Sequence, residues 1–334
     1  MDKSRTNISV LSITWSRRNG TDNKKPMDTI YASCIASTPE QHRDNTDSSI
    51  SKLYLFEACE TVGVTNSRTS KGAFALQKLT YPRSLLISSS SEDWLRLSVR
   101  TSAEKYTSIT PNLGQRYESA VVFSSKRKDI TVYNSPNHEY LSIGIHSSAI
   151  ADSLKKRIES TIENNESIIN HVSPAFRQSL ITDISALLEQ PIPQDGFNSR
   201  VEALIASATI EIANTDQTHI SDNRARIVAL AIDVIIKNEG KKISMQSLAQ
   251  ACHCSIRTLE YAFKSRLELS PKEFLTYYRL NRYRQEILSN PSATLSQLAY
   301  ELQFKHLGNL AKNYRNLFGS LPSAEAQAAS ESVS

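Results

Sequence analysis

Cysteine is scarce in this chain: four in 334 residues, at Cys34, Cys59, Cys252 and Cys254, too few and too scattered for a disulfide framework. Cys252 and Cys254 flank His253, but ligands crowded into one turn do not close a zinc tetrahedron without a second pair, and none stands nearby in sequence. No metal and no cofactor are therefore expected. Cys254 reads as a small hydrophobe under a turn, and Cys34 and Cys59 as reduced, partly buried thiols. Long apolar runs are also lacking, and none approaches the roughly 18 residues that suggest a membrane helix. The opening MDKSRTNISV has no continuous apolar core of the secretion-signal type. The expectation is a cytoplasmic chain with no membrane partner.

What is present is ordinary globular material, 39% hydrophobic and 22% charged, and long enough for two domains. The net charge of +5 is unevenly placed. Residues 221–334 hold 15 Lys and Arg against 10 Asp and Glu, whereas residues 1–220 hold 24 of each sign. The whole cationic excess thus falls in one third of the chain, as phosphate contacts would require.

Residues 1–28 are polar, basic and aperiodic, and predict an extended or disordered lead-in. From Thr29 short runs such as LYLFEACETVGV, GAFALQKL, SLLISSS, DWLRLSVR, AVVFSS, DITVY and EYLSIGI are closed by turn residues, the pattern of strands. Together they predict one antiparallel β-rich domain over 29–147. Tyr133, His138, Tyr140 and His146 are polar candidates for a pocket there, set against the simpler reading of surface or structural residues. Helical text follows over 148–214, with apolar seams such as Ile150, Leu154, Ile158 and Ile162 that suit either packing under the sheet or dimerisation. Residues 215–222 read as a polar hinge, and the helix NRARIVALAIDVIIKNEG leads into the C-terminal part.

Residues 244–318 repeat one supersecondary unit. Ser244 caps a short helix bearing Met245, Leu248 and Ala249; the turn falls at 252–254; Ser255 then caps a second helix. In that helix Ile256, Leu259, Ala262, Phe263 and Leu267 form the predicted inward stripe, leaving Arg257, Glu260, Tyr261 and Lys264 outside. Ser270 and Pro271 open a long helix from which Arg279, Arg282 and Arg284 are expected to project. The second unit has Thr294 as cap, Leu295, Leu298 and Ala299 as apolar positions, and a turn near Gln303 and Phe304. Its last helix places Leu310, Tyr314 and Leu317 inward and His306, Asn309, Lys312 and Arg315 outward, and ends at Gly319. The tail over 324–334 is expected to fray.

Over residues 223–323 this arrangement resembles the AraC/XylS family of transcription regulators. RLNRYRQEIL at 279–288 and LGNLAKNYRNLFGSLPS at 307–323 are the most specific stretches, and look like the branch of ethanolamine-utilisation operon regulators. The resemblance implies an α+β chain: a β-rich N-terminal sensor domain, a helical region over 148–214, and an all-α DNA-binding domain over 221–323 with two helix-turn-helix units. Each unit would send its second helix into a major groove. Carried over residue by residue, Arg257, Glu260 and Tyr261 would contact bases in one groove and His306, Asn309 and Lys312 in the next, with Gly308 allowing close approach. Arg279, Arg282 and Arg315 would contact phosphates. Implied partners are double-stranded operator DNA, a small-molecule effector of unknown site, RNA polymerase and a second subunit. The chain departs from the family in one respect: a glycine is usual at each turn, and here His253 and Gln303 stand instead.

Three other classes are weighed against this. An alkylation-repair enzyme of the same superfamily needs a four-cysteine zinc cluster, which Cys34 and Cys59 do not supply. A catalytic cupin is disfavoured because no two histidines stand at the required one-residue spacing. An architectural, non-specific DNA binder remains the alternative, and would show no preference for any sequence.

Overall fold

The computed structural model describes residues 29–36, 38–39, 50–70, 74–88, 94–101, 120–124, 130–134, 136, 138–164, 169–189, 194–215, 223–241, 243–290 and 292–333. The expected lead-in over 1–28 and most of the expected hinge, 216–222, lie outside them. No described helix is long and apolar enough to cross a membrane.

The β-rich part contains two antiparallel sheets. The larger has the order β1-β3-β4-β9-β6-β7-β10, with β1 Thr29–Ala36, β3 Gly63–Ser70, β4 Phe74–Tyr81, β6 Trp94–Arg100, β7 Ala120–Ser124, β9 His138–His146 and β10 Ile169–His171. The smaller has the order β2-β5-β8, with β2 Ile50–Leu55, β5 Ser84–Ser88 and β8 Ile130–Asn134. Sequence and structure differ here at two points. The run LYLFEACETVGV is not one strand: β2 stops at Leu55 and β3 starts at Gly63. The polar stretch GVTNSRTS is nevertheless a strand, because β1 and β4 pair with it on both sides and backbone ladders need no apolar pattern.

Strand β9 is central and buried along nearly its whole length, which explains its continuous apolar text. Its Leu141, Ile143 and Ile145 meet Leu76, Leu95, Leu97 and Val99 on one face of the large sheet. Helices α1 Asp152–Asn164, α2 Pro174–Glu189 and α3 Gln194–Asn214 cover that face with Ile158, Leu180, Ile184, Leu187, Val201, Ile205 and Ile212. These seams are thus buried within the chain, against its own sheet.

Period-two alternation in β2 and its extension sends side chains two ways. Leu53 and Leu55 join Leu79, Tyr81, Leu86, Val132 and Tyr140 in a cluster that continues into the C-terminal helices through Leu280, Tyr283 and Ile287. Tyr54 and Phe56 instead join Tyr133 and the helix residues Phe263, Phe274 and Tyr278. The C-terminal helices are α4 Asn223–Lys237, α5 Met245–Ala251, α6 Ile256–Leu267, α7 Pro271–Ser289, α8 Leu295–Glu301, α9 Leu307–Phe318 and α10 Pro322–Val333.

The contact between the β part and α7 is both aromatic and polar. Phe56 stacks on Phe274 with centroids 4.5 Å apart, and Tyr54 lies 4.9 Å from Tyr278. Asn281, buried on α7, accepts from the Leu55 amide at 2.8 Å and donates to the Leu55 carbonyl at 2.7 Å. One side chain therefore satisfies the backbone groups that end a strand 226 residues earlier. The Tyr133 hydroxyl donates to the Leu267 carbonyl at 3.0 Å, and Arg83 pairs with Glu268 at 2.9 Å.

Helix α10 corrects the expectation of a fraying tail. Glu325 accepts from Arg284 and Tyr314, each at 2.9 Å, and from Ser320 at 2.7 Å, so the start of the helix is tied to α7 and α9. Alanines over 324–329 then carry it on, being the best helix formers.

Candidate nucleic-acid interface

The two C-terminal helix pairs are built by the same local devices. In the first, Ser244 and Ser247 form a reciprocal capping box at the start of α5, and Ser255 accepts from the Thr258 amide at 3.1 Å to cap α6. In the second, Thr294 accepts from the Gln297 amide at 3.3 Å to cap α8. His306 occupies the cap position of α9 without a side-chain hydrogen bond. Its ring is left for other partners.

The turns correspond residue for residue. Cys254 N–H donates to the Ala249 carbonyl at 3.0 Å, and Phe304 N–H donates to the Ala299 carbonyl at 2.9 Å. Both bonds bracket a left-handed residue, His253 at φ 52° and Gln303 at φ 64°. The turns are therefore bent as a glycine would bend them, at the steric cost a Cβ brings to that region. Cys252, fully buried beneath the first turn, has its thiol pushed up to about 11 by burial, with Cys254 adding to the shift; Cys254 is half-buried. Among the described residues no group of three or more His, Cys, Asp and Glu is placed to hold a metal ion.

The inward stripes are Leu259, Ala262, Phe263 and Leu267 in α6 and Leu310, Tyr314 and Leu317 in α9. Ile256, expected inward, is instead exposed, because the first helical residue precedes the turn that packs on α4. The predicted base-contact residues are all on the surface: Arg257, Glu260 and Tyr261 on α6, and His306, Asn309 and Lys312 at or on α9. Tyr261 is 59% exposed, and the Arg224 guanidinium lies 4.4 Å from its ring centroid. A Cβ added at Gly308 would meet nothing within 4 Å, so no internal packing demands glycine there.

The arginines of α7 are placed differently from the sequence expectation. Arg279 donates through Nε to the Gly240 carbonyl at 2.7 Å. Arg282, with only 13% of its side chain exposed, pairs with Glu286 at 2.9 Å and Glu239 at 3.5 Å. Arg284 is buried against Glu325 and lies 5.4 Å from the Phe318 ring. Each guanidinium is engaged by a group of the chain itself, and a long helix carries no period-based sign of which side its neighbours will cover. Arg315 remains exposed.

The four pocket candidates of the β part do not converge. His138 and Tyr140 are adjacent, with ring centroids 4.4 Å apart, and the Tyr140 hydroxyl donates to Asn134 at 3.0 Å. Tyr133 faces α6, and His146 sits at the end of β9 on Ser148 at 2.6 Å. Sequence reasoning missed Asn281 and Glu325, whose partners lie far along the chain or on a helix read as a tail.

Residues 248–328, spanning α6, α7, α8 and α9 with parts of their neighbours, match the protein family described as "Helix-turn-helix domain". The match is confined to that stretch, and the described residues before it hold both the sheets and four α-helices. Over 95 residues the chain is 34% identical to the XylDLEGF operon transcriptional activator of Pseudomonas putida, covering 28% of this chain and 29% of that protein. It is 28% identical over 114 residues to the lactose operon transcription activator of Staphylococcus xylosus, covering 34% of this chain and 37% of that one. The chain thus spans about a third of these curated relatives. A solved AraC-type DNA-binding-domain regulator from Chromobacterium violaceum is 26% identical, with 31% of this chain and 91% of that one covered, at a TM-score of 0.29.

Proposed function

We propose that the protein is a sequence-specific DNA-binding transcription regulator of the AraC/XylS type, not an enzyme, acting in the cytoplasm on double-stranded operator DNA. The observation that carries this reading is the repeated helix pair with matching turn geometry, each second helix presenting an exposed polar face, within the stretch that matches a helix-turn-helix domain. Both pairs act as helix-turn-helix units, with α6 and α9 in successive major grooves and α7 setting their spacing. Arg257, Glu260 and Tyr261 read bases in one groove and His306, Asn309 and Lys312 in the other; Arg315 contacts phosphate. Open space at Gly308 suits close approach of a phosphate or base edge to the backbone.

Residues 29–147 form the sensor half, 148–214 the helices that brace its sheet together with the edge strand β10, and 221–323 the DNA-binding domain. A small-molecule effector, a second subunit and RNA polymerase are the further partners this class implies. The similarity to ethanolamine-utilisation regulators rests on the two motifs at 279–288 and 307–323 alone.

The test is binding of the full chain to its own promoter region against random competitor DNA, across a salt series. Log affinity should fall with log salt at about 0.9 per neutralised phosphate. Arg257→Ala should weaken operator binding by about 1–3 kcal/mol and relax preference at one base. A flat salt dependence would refute DNA binding. Equal affinity for operator and competitor would leave a non-specific, architectural binder.

A further inference from the structure

The structure leaves two large aliphatic side chains in water at one repeated position. Ile256 is 42% exposed and Leu307 is 51% exposed, and they are the first residues of α6 and α9. They lie 51 positions apart, as do Ser255 and His306 before them and the inward Leu259 and Leu310 after them. Ile256 is not needed to start its helix. Ser255 already caps α6, and a β-branched isoleucine is no asset to a helix. Nor do they fill a core, since the stripes beneath them are complete without them.

Direction decides what they meet. Side chains on a helix lean toward its N-terminus, so a residue at the first position projects beyond the helix end. In a helix-turn-helix unit, the N-terminal residues of the second helix are the ones that reach base edges. The neighbours here are Arg257 beside Ile256, and Lys305 and His306 beside Leu307, all exposed. A protein-docking patch would be contiguous and apolar; these are single aliphatic groups on separate helices, each set among cationic or polar side chains. The one apolar feature on the floor of a major groove is the thymine C5-methyl group.

Resting on the DNA-binding reading above, we infer that Ile256 and Leu307 are specificity-determining residues, each packing on a thymine methyl in its own major groove. A thymine then sits in each half of the operator. The one under Ile256 is next to the base contacted by Arg257.

The experiment uses the full chain and DNA that differs by single methyl groups. An operator is first selected from a random double-stranded pool, and every dT in it is then replaced singly by dU, which removes the methyl and keeps base pairing. The expected result is a loss of about fourfold in affinity at one or more thymines in each half, the value of one buried methyl. Ile256→Ala should abolish the dU penalty in one half only, and Leu307→Ala in the other half only. Both side chains are exposed, so the variants should fold as the parent does by circular dichroism. An operator that tolerates dU at every position overturns the inference while leaving sequence-specific binding standing. Unchanged dU penalties in both variants overturn it as well. A pool that yields no enriched sequence overturns the DNA-binding reading, and this inference with it.

Discussion

Replacing Asn281 with leucine keeps the volume of the side chain and removes all three of its hydrogen bonds. Two of them serve Leu55, whose amide and carbonyl lie 2.8 and 2.7 Å from the carboxamide. The third, from Nδ2 to the Tyr277 carbonyl at 2.8 Å, falls on a group that already belongs to the helix ladder, so its loss costs little. The Leu55 groups are different, because Leu55 is buried and, among the described residues, no other strand pairs with its outer edge. Each buried backbone group left without a partner costs about 1–3 kcal/mol, and the pair therefore about 2–6 kcal/mol. The measurement is urea denaturation of parent and variant, together with hydrogen exchange at the Leu55 amide. The variant should lose that stability and the Leu55 amide should exchange faster. Asn281→Asp should do no better, since it keeps the acceptor for the amide but turns an oxygen against the carbonyl and buries a charge. A loss under about 0.5 kcal/mol for Asn281→Leu, with Leu55 protection unchanged, would refute the claim that this side chain joins β2 to α7.

Three other outcomes follow from the geometry. His253→Gly and Gln303→Gly should each stabilise the chain by about 1 kcal/mol in thermal or urea unfolding, since both residues hold a positive φ; no gain at either would mean the turns relax in solution. Glu325→Ala should cost about 2–4 kcal/mol, because it removes the carboxylate that accepts from the buried Arg284 and from the Tyr314 hydroxyl; a surface-like loss under 0.5 kcal/mol would mean α10 frays after all. Burial, with the Arg100 charge second, holds the His138 imidazole at about 2 against an ordinary value of 6.5, so the folded state stays neutral where the unfolded chain takes up a proton. Stability contributed by this neutral form is complete above pH 6.5 and declines as pH falls toward 2, by about 1.4 kcal/mol per unit below 6.5. His138→Phe should flatten the slope between pH 6.5 and 5, and an unchanged slope would remove His138 as its source.

The C-terminal half was legible because its signals are short-range. Caps at Ser244, Ser255, Ser270 and Thr294 act on amides three residues away, and the inward stripes repeat with the helix period, so both can be read from a window of a dozen residues. Even the turns at His253 and Gln303 could be located, although not how they would bend. The strands of the β part with apolar text were legible for the same reason, and polar β3 was not, because its neighbours on both sides define it. Tertiary structure alone decided that Arg279, Arg282 and Arg284 would turn inward, that Glu325 would anchor a helix, and that Asn281 would complete a strand 226 residues earlier. A charged or polar side chain on a helix carries no mark of its partner. Which groups it satisfies depends on what the fold brings to that face, and a buried hydrogen bond can join residues at any separation along the chain.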